Sequence, residues 1–180
     1  MSKYIVSAAA LLALLAACAA PGPTVRTNVD PDSDFSRIQT FGFTKPLGTD
    51  RPNGVRTPLS KMLASSVIRE MEGRGLRQSK NPDVLINFFV NAEQRLDVRQ
   101  VPTTTSFHGY RRGRYRTWGG YETRVRQYTQ GTLAIDVIDP ARNMLIWEGT
   151  AEGRLRDGDT GITQERADEV VGAVLAKFGQ

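Results

Sequence analysis

Past an uncharged apolar opening, the apolar residues of this chain fall into two periods, one of two residues and one of three to four. Val84, Ile86, Phe88, Val90 and Ala92 alternate with their neighbours, the pattern of a strand that buries one face. The run follows the turn signal Asn81-Pro82-Asp83 and extends towards Val98. A second alternating segment spans 128–138, with Leu133, Ile135 and Val137 on one face and Ala134, Asp136 and Ile138 on the other. Asp139-Pro140-Ala141-Arg142-Asn143 turns the chain into a further strand over 144–155, where Leu145, Trp147, Gly149 and Ala151 share a face; the pair reads as an antiparallel hairpin. An earlier strand is expected over 35–43, from its Phe, Ile and Thr content. Helical spacing appears twice. Leu59, Met62, Leu63, Val67 and Met71 follow Thr57-Pro58, a cap with proline at the first helical position, and Gly73 and Gly75 stop the run. Ile162, Ala167, Val170, Val171, Val174, Leu175 and Phe178 form a second stripe over about 161–178, with Thr163 as its cap. The element order predicts an α+β fold: an antiparallel sheet with two helices packed on one face, a two-layer sandwich.

The opening segment changes where this domain is expected to work. Met1-Ser2-Lys3 is a short cationic start, and Tyr4 to Ala17 carries no charge. That is the layout of a secretory signal peptide, and it is too short for a membrane span, which needs about 20 apolar residues. It ends Leu15-Ala16-Ala17-Cys18, which resembles the lipobox of bacterial lipoproteins. Small residues admit the backbone to a peptidase, and the thiol is the nucleophile that takes the lipid. The expected organisation is a signal peptide over 1–17, a lipidated Cys18 with a flexible Pro/Thr/Asp-rich tether over 18–33, and one domain over 34–180. Ala19, not Asp, follows the cysteine, which by the lipoprotein sorting rule points to the outer membrane, facing the periplasm.

Composition then narrows the chemistry. Cys18 is the single cysteine of the chain, so once acylated it leaves no thiol for disulfides, metal ligation or catalysis. The net charge of +5 falls by one when Lys3 leaves with the signal peptide. The basic excess is concentrated over 107–128. Arg111, Arg112, Arg114, Arg116, Arg124 and Arg126 are interleaved there with Phe107, Tyr110, Tyr115, Trp118 and Tyr121, and with four glycines. The stretch reads as a polar, Gly-rich surface loop, with an ordered hairpin arm as the alternative, because 123–128 alternates well enough to extend the next strand backwards. Arg with stacking aromatics suits single-stranded nucleic acid in other settings, but an exported chain meets none. The anions it meets are lipid phosphates and envelope polymers, which Arg grips through its planar fork.

Several ordered motifs carry a family resemblance. Asp34-Phe35 and Thr40-Phe41-Gly42-Phe43 open the domain, and Pro82-Asp83-Val84-Leu85-Ile86 begins the strong strand. Gly131-Thr132-Leu133-Ala134-Ile135-Asp136-Val137-Ile138-Asp139 leads into Leu145-Ile146-Trp147-Glu148-Gly149-Thr150-Ala151. In this order behind a lipobox, the chain resembles the DUF4136 family of bacterial lipoproteins from about Asp34 to the last helix. The resemblance implies an α+β envelope domain and no particular activity. Glu148 departs from the family's usual residue between Trp and Gly, at a position that alternation leaves exposed.

Candidate chemistry is sparse. Asp136, Asp139 and Glu148 are the carboxylates on the central strands; an acid–base pair would need two of them to converge on a pocket, whereas Asp139 before Pro140 suits a turn cap. His108, the sole histidine, has no partner motif for a triad or a metal site. The expectation is therefore a non-enzymatic structural or interaction lipoprotein with no cofactor, no metal and no nucleic acid. Its partners would be the membrane, through the anchor, and an envelope protein or anionic polymer. The alternative is a binding module whose arginines capture an anionic envelope lipid or polymer.

Overall fold

Local chemistry sets the element ends. The computed structural model describes residues 22–111, 114–155 and 162–179, with side chains described outside 103–119. Helix α1 spans Pro58–Gly73, and the Thr57 hydroxyl accepts the Ser60 N–H at its start. At its end Gly75 adopts φ 87°. The Gly75 N–H then donates to Glu72 O and the Leu76 N–H to Met71 O, a Schellman closure that needs a left-handed residue. Helix α2 spans Gln164–Leu175, and its cap Thr163 accepts the Arg166 N–H. Both caps stand where the sequence places them.

Among the described residues, six strands form one sheet: β1 (Thr24–Val29), β2 (Thr40–Phe43), β3 (Arg77–Gln78), β4 (Val84–Arg111), β5 (Arg114–Asp139) and β6 (Met144–Leu155), in the order β1-β6-β5-β4-β2-β3. The expected all-antiparallel sheet is corrected. β4, β5, β6 and β1 are antiparallel to their neighbours, but β2 lies parallel to both β3 and β4. The reason is connectivity. α1 carries the chain from the end of β2 back to the start of β3, and a strand reached through a crossover helix must run parallel. The result is a mixed α+β sheet with two helices.

Two further expectations are corrected near the N-terminus. Residues 24–29 were expected to be tether, yet they are β1, paired in register with β6 from Thr24↔Glu152 to Val29↔Trp147. Strand pairing recruits a Thr/Val-rich segment that lies between Pro23 and Pro31 and so resembles part of a linker. The strand expected over 35–43 divides into a 3-10 turn at Phe35–Arg37, capped by Asp34, and β2.

The core lies between one sheet face and the helices. Phe41, Ile86, Phe88, Ile135 and Trp147 meet Leu63, Val67 and Met71 of α1 and Val171, Val174 and Leu175 of α2. A register shift between Val137 and Ile138 puts one extra residue into β6. Ile146 therefore turns into the core while Leu145, expected to share the Trp147 face, is exposed; a bulge reverses the alternation on its far side. The helices are joined by a polar clamp: the buried Ser66 hydroxyl donates to Asp168 at 2.6 Å, and Gln164 and Arg69 donate to the same carboxylate.

The motif residues build this fold. Asp83 accepts the N–H groups of Gln39 and Thr40 and the Thr40 hydroxyl, pinning β2 to the start of β4. A Cβ on Gly42 would stand 2.9 Å from Pro82 Cγ. The Trp147 indole lies over Gly149, two residues along the same strand face, and meets Phe178 edge-on at 5.4 Å.

Candidate functional site

Beyond the core, β4 and β5 leave the sheet together. Among the described residues, β2 flanks β4 from Val84 to Ile86, and β6 flanks β5 as far as Thr129. From there β4 and β5 pair with each other out to Arg111↔Arg114, with one register shift between Pro102 and Ser106. The segment expected to be a Gly-rich loop over 107–128 is thus a two-stranded ribbon, and the hairpin-arm alternative describes it. The glycines weaken strand propensity, but cross-strand pairing overrides it.

Alternation divides the described part of the ribbon sharply. One face carries Gln94, Leu96, Val98, Gln100, Tyr121, Thr123, Val125 and Gln127, with no charge. The other carries Glu93, Arg95, Asp97, Arg99, Glu122, Arg124 and Arg126. The uncharged face continues the core face past the helices and is open: Leu96 is 66 %, Val98 60 %, Val125 58 % and Tyr121 74 % exposed. Val98 and Val125 are directly opposed. This division is written in the sequence as alternation over 93–100 and 122–127; the Arg and Gly content of the neighbouring stretch conceals it.

The charged face largely neutralises itself. Arg99 and Arg124 oppose each other in register, and each turns to an acid on its own strand, Arg99 to Asp97 at 3.1 Å and Arg124 to Glu122 at 3.7 Å. Arg154 reaches Asp97 at 3.2 Å while its guanidinium stacks 3.8 Å from the Tyr128 ring centre. Hydrogen bonds from Arg99 and Arg154 hold the Asp97 carboxyl below its ordinary range. Of the six arginines expected to bind anions, Arg124 is engaged in this way. Arg126 has no ion pair among the described residues and stands opposite Asp97. Arg111, Arg114 and Arg116 sit on the distal ribbon backbone, their side chains outside the described set, as is that of His108. Arg112 and Cys18 lie outside the described residues altogether.

The carboxylates divide into a turn cap and a crowded pair. Asp139 accepts the N–H groups of Ala141 and Arg142 and the Arg142 Nε at 2.7 Å. Asp136 faces away from the helices, between Asn87 on β4 and Glu148 on β6. Burial, and then the charge of Glu148, push its carboxyl above the ordinary range. Clefts of about 660 and 300 Å³ lie around Lys45 and Arg56, and none of these carboxylates lines them. Among the described residues no cluster of His, Cys, Asp and Glu has metal-binding form, and no helix is long and apolar enough to cross a membrane.

A raised carboxyl pKa works against the fold at neutral pH. The native state holds the proton more tightly than the unfolded chain, so stability falls as pH rises from the unfolded value through the native one. Asp136→Asn is therefore expected to raise stability at pH 7 by roughly 0.5 kcal/mol, within the range of opposed like charges. The gain should vanish at pH 3, where Asp136 is protonated in both states. Thermal melts of both proteins at the two pH values check this; an equal gain at pH 3 contradicts it.

Together these features define an α+β sheet-and-helix domain with a projecting amphipathic ribbon. A model of the family described as a domain of unknown function, DUF4136, matches residues 25–178, and the chain belongs to that family. No curated protein matches the chain. Among solved structures, a PDZ domain protein from Parabacteroides distasonis ATCC 8503 is similar in fold, with TM-score 0.57 and 18 % identity over 88 % of this chain. The chain spans 36 % of that protein's length. Two structures of the PelC dodecamer from Paraburkholderia phytofirmans align at TM-scores 0.47 and 0.46, with 12 % and 13 % identity over 86 % of this chain and 95 % of theirs.

Proposed function

We propose that this chain is a cell-envelope lipoprotein, held by lipid on Cys18 at the periplasmic face of the outer membrane, with a non-enzymatic interaction role. In this reading the domain is a two-layer platform, both helices covering one sheet face, and the β4–β5 ribbon is its contact element. The ribbon carries the argument. It leaves the core with Leu96, Val98, Val125 and Tyr121 exposed on a face without charge, and an exposed apolar surface of that kind marks an interaction site. The anchor rests on the Leu15-Ala16-Ala17-Cys18 sequence. More than one acyl chain gives lasting attachment where a single myristoyl chain gives marginal binding.

Two measurements separate the parts of this proposal. Mass spectrometry of the membrane-extracted protein should find a mature chain beginning at an acylated Cys18; an unmodified thiol there removes the anchor. Crosslinking in intact cells should lose its adducts when residues 94–127 are replaced by an Asn-Gly turn; unchanged adducts remove the ribbon's role.

A second reading, capture of an anionic envelope lipid or polymer, is favoured by Arg126, which has no ion pair among the described residues, and by Arg111, Arg114 and Arg116 at the distal end of the ribbon. Replacing Arg111, Arg112, Arg114, Arg116 and Arg126 with Gln should then weaken sedimentation with anionic vesicles severalfold at low salt, an effect that about 1 M salt erases. Binding that is unchanged in the variant counts against it.

A further inference from the structure

From the end of the sheet at which the chain enters, we infer that the β4–β5 ribbon lies along the membrane that holds Cys18, with its uncharged face set into the lipid surface. This rests on the proposed anchor and on the reading of the ribbon as the contact element, and it names what that element touches. Thr24, Glu152, Thr132 and Asn91 form one row across the sheet. At about 4.8 Å between strands, Thr24 stands roughly 15 Å from Asn91. β1 runs from this row back along β6 to Val29↔Trp147, while β4 runs from it in the other direction as the ribbon. The chain thus enters the sheet from the side towards which the ribbon projects. Six residue steps separate Cys18 from Thr24, a reach of at most about 20 Å. The ribbon continues from Asn91 to Arg111, roughly 65 Å at about 3.3 Å per residue. Turning it away from the membrane would take the tether back past the six residues of β1, about 20 Å, which uses all of that reach. The anchored end of the domain therefore faces the lipid, and a ribbon much longer than the tether meets that surface.

The division of the ribbon decides how it lies there. Leu96, Val98, Val125 and Tyr121 are exposed on one face, and the charged residues from Glu93 to Arg99 and from Glu122 to Arg126 line the other. A ribbon run straight into the bilayer would carry those charges into hydrocarbon, where a charge on a strand costs most at mid-depth. Laid flat, it keeps them in water and buries the uncharged face alone, as amphipathic elements at an interface do to a depth of about 5–10 Å. Val98 and Val125 are directly opposed, so they enter the lipid as one patch. Tyr121 joins an apolar ring to a polar tip, which suits the headgroup level. The sequence of the distal ribbon adds Phe107, Tyr110, Tyr115 and Trp118 among its arginines, and Tyr and Trp are enriched at that same level. Charge is not what holds the described part: its four arginines and three acids share the face turned from the lipid.

The full-length lipoprotein, reconstituted in phosphatidylcholine vesicles that carry no net charge, tests this. Cys18 is acylated in this reading, so an introduced cysteine is the free thiol. Leu96→Cys and Val125→Cys on the uncharged face, and Arg95→Cys and Glu122→Cys on the charged face, are each labelled with a polarity-sensitive fluorophore, their folds checked by circular dichroism. Labels at 96 and 125 should emit to the blue and be quenched severalfold more by nitroxide-bearing lipid than labels at 95 and 122, which aqueous iodide should quench instead. The difference should persist in about 1 M salt, which screens ionic attraction. Equal quenching on the two faces, or labels at 96 and 125 that remain in water, overturns the proposal. Lipid quenching that disappears in salt overturns it too, because the contact is then ionic. An unmodified Cys18 removes the tether geometry and the proposal with it. If the labels stay in water while the ribbon still crosslinks to other proteins in cells, lipid is the wrong occupant and the ribbon's contact role stands.

Discussion

Trp147→Ala is expected to destabilise the domain by about 3–5 kcal/mol, the cost of emptying a large aromatic site in a packed core. Since small domains are stable by about 5–15 kcal/mol in total, much of the population should unfold under mild denaturant. The ring is fully buried, meets Phe178 edge-on, and covers Gly149 on β6. It lies where β6 meets α2, so its loss frees α2 from the sheet, and local collapse cannot refill the space without moving that helix. The indole N–H has no acceptor among the described residues, so the ring's packing, not a hydrogen bond, accounts for the effect. Trp147→Phe should accordingly cost much less. Urea titrations followed by far-ultraviolet circular dichroism compare the three; equal midpoints for Trp147→Ala and the wild type contradict this account.

Gly149→Val is expected to cost about 3 kcal/mol, at the upper end of overpacking, although valine favours strands by itself. A Cβ at Gly149 would overlap the indole of Trp147 and stand 2.5 Å from Val174 Cγ1. Neither neighbour is the free end of a flexible chain, so β6 or α2 must shift. The two substitutions should not add. In the Trp147→Ala background the indole no longer blocks the Cβ, and the added cost of Gly149→Val should fall, leaving the clash with Val174. A double-mutant cycle of denaturation midpoints reads this coupling, and strict additivity would contradict the shared site.

The spacing of Trp147 and Gly149 was legible as a motif in the chain, while its cause was not. Two residues apart on a strand means the same face, which alternation reveals; that the ring bends along the strand, over the glycine, depends on α2 pressing from above. Asp139 was legible as a turn cap because its partners are its own neighbours, Ala141 and Arg142. Asp83 was visible only as part of a turn, since the groups it binds at Gln39 and Thr40 come from a segment more than forty residues away. Leu145 was assigned to the wrong face because a bulge depends on the partner strand, and nothing local marks it. The ribbon was half-read. Arg, Gly and aromatic content over 107–128 resembles a loop, whereas the alternation that makes it a strand becomes decisive only when Val98 is set against Val125.

What the amino-acid sequence determined alone was local or periodic. It placed both helices and their Thr57 and Thr163 caps, the core faces of β4 and β5, the family, and the lipobox signature from which the anchor is proposed. These follow from contacts a few residues apart and from repeats of two and about 3.6. The tertiary structure decided which strands are neighbours: β1 drawn in from the apparent tether, β2 turned parallel by the α1 crossover, and β4 and β5 paired with each other along the ribbon. Each of these rests on backbone hydrogen bonds between distant segments. Every strand offers the same N–H and C=O groups, so partner choice depends on the packing of the whole sheet.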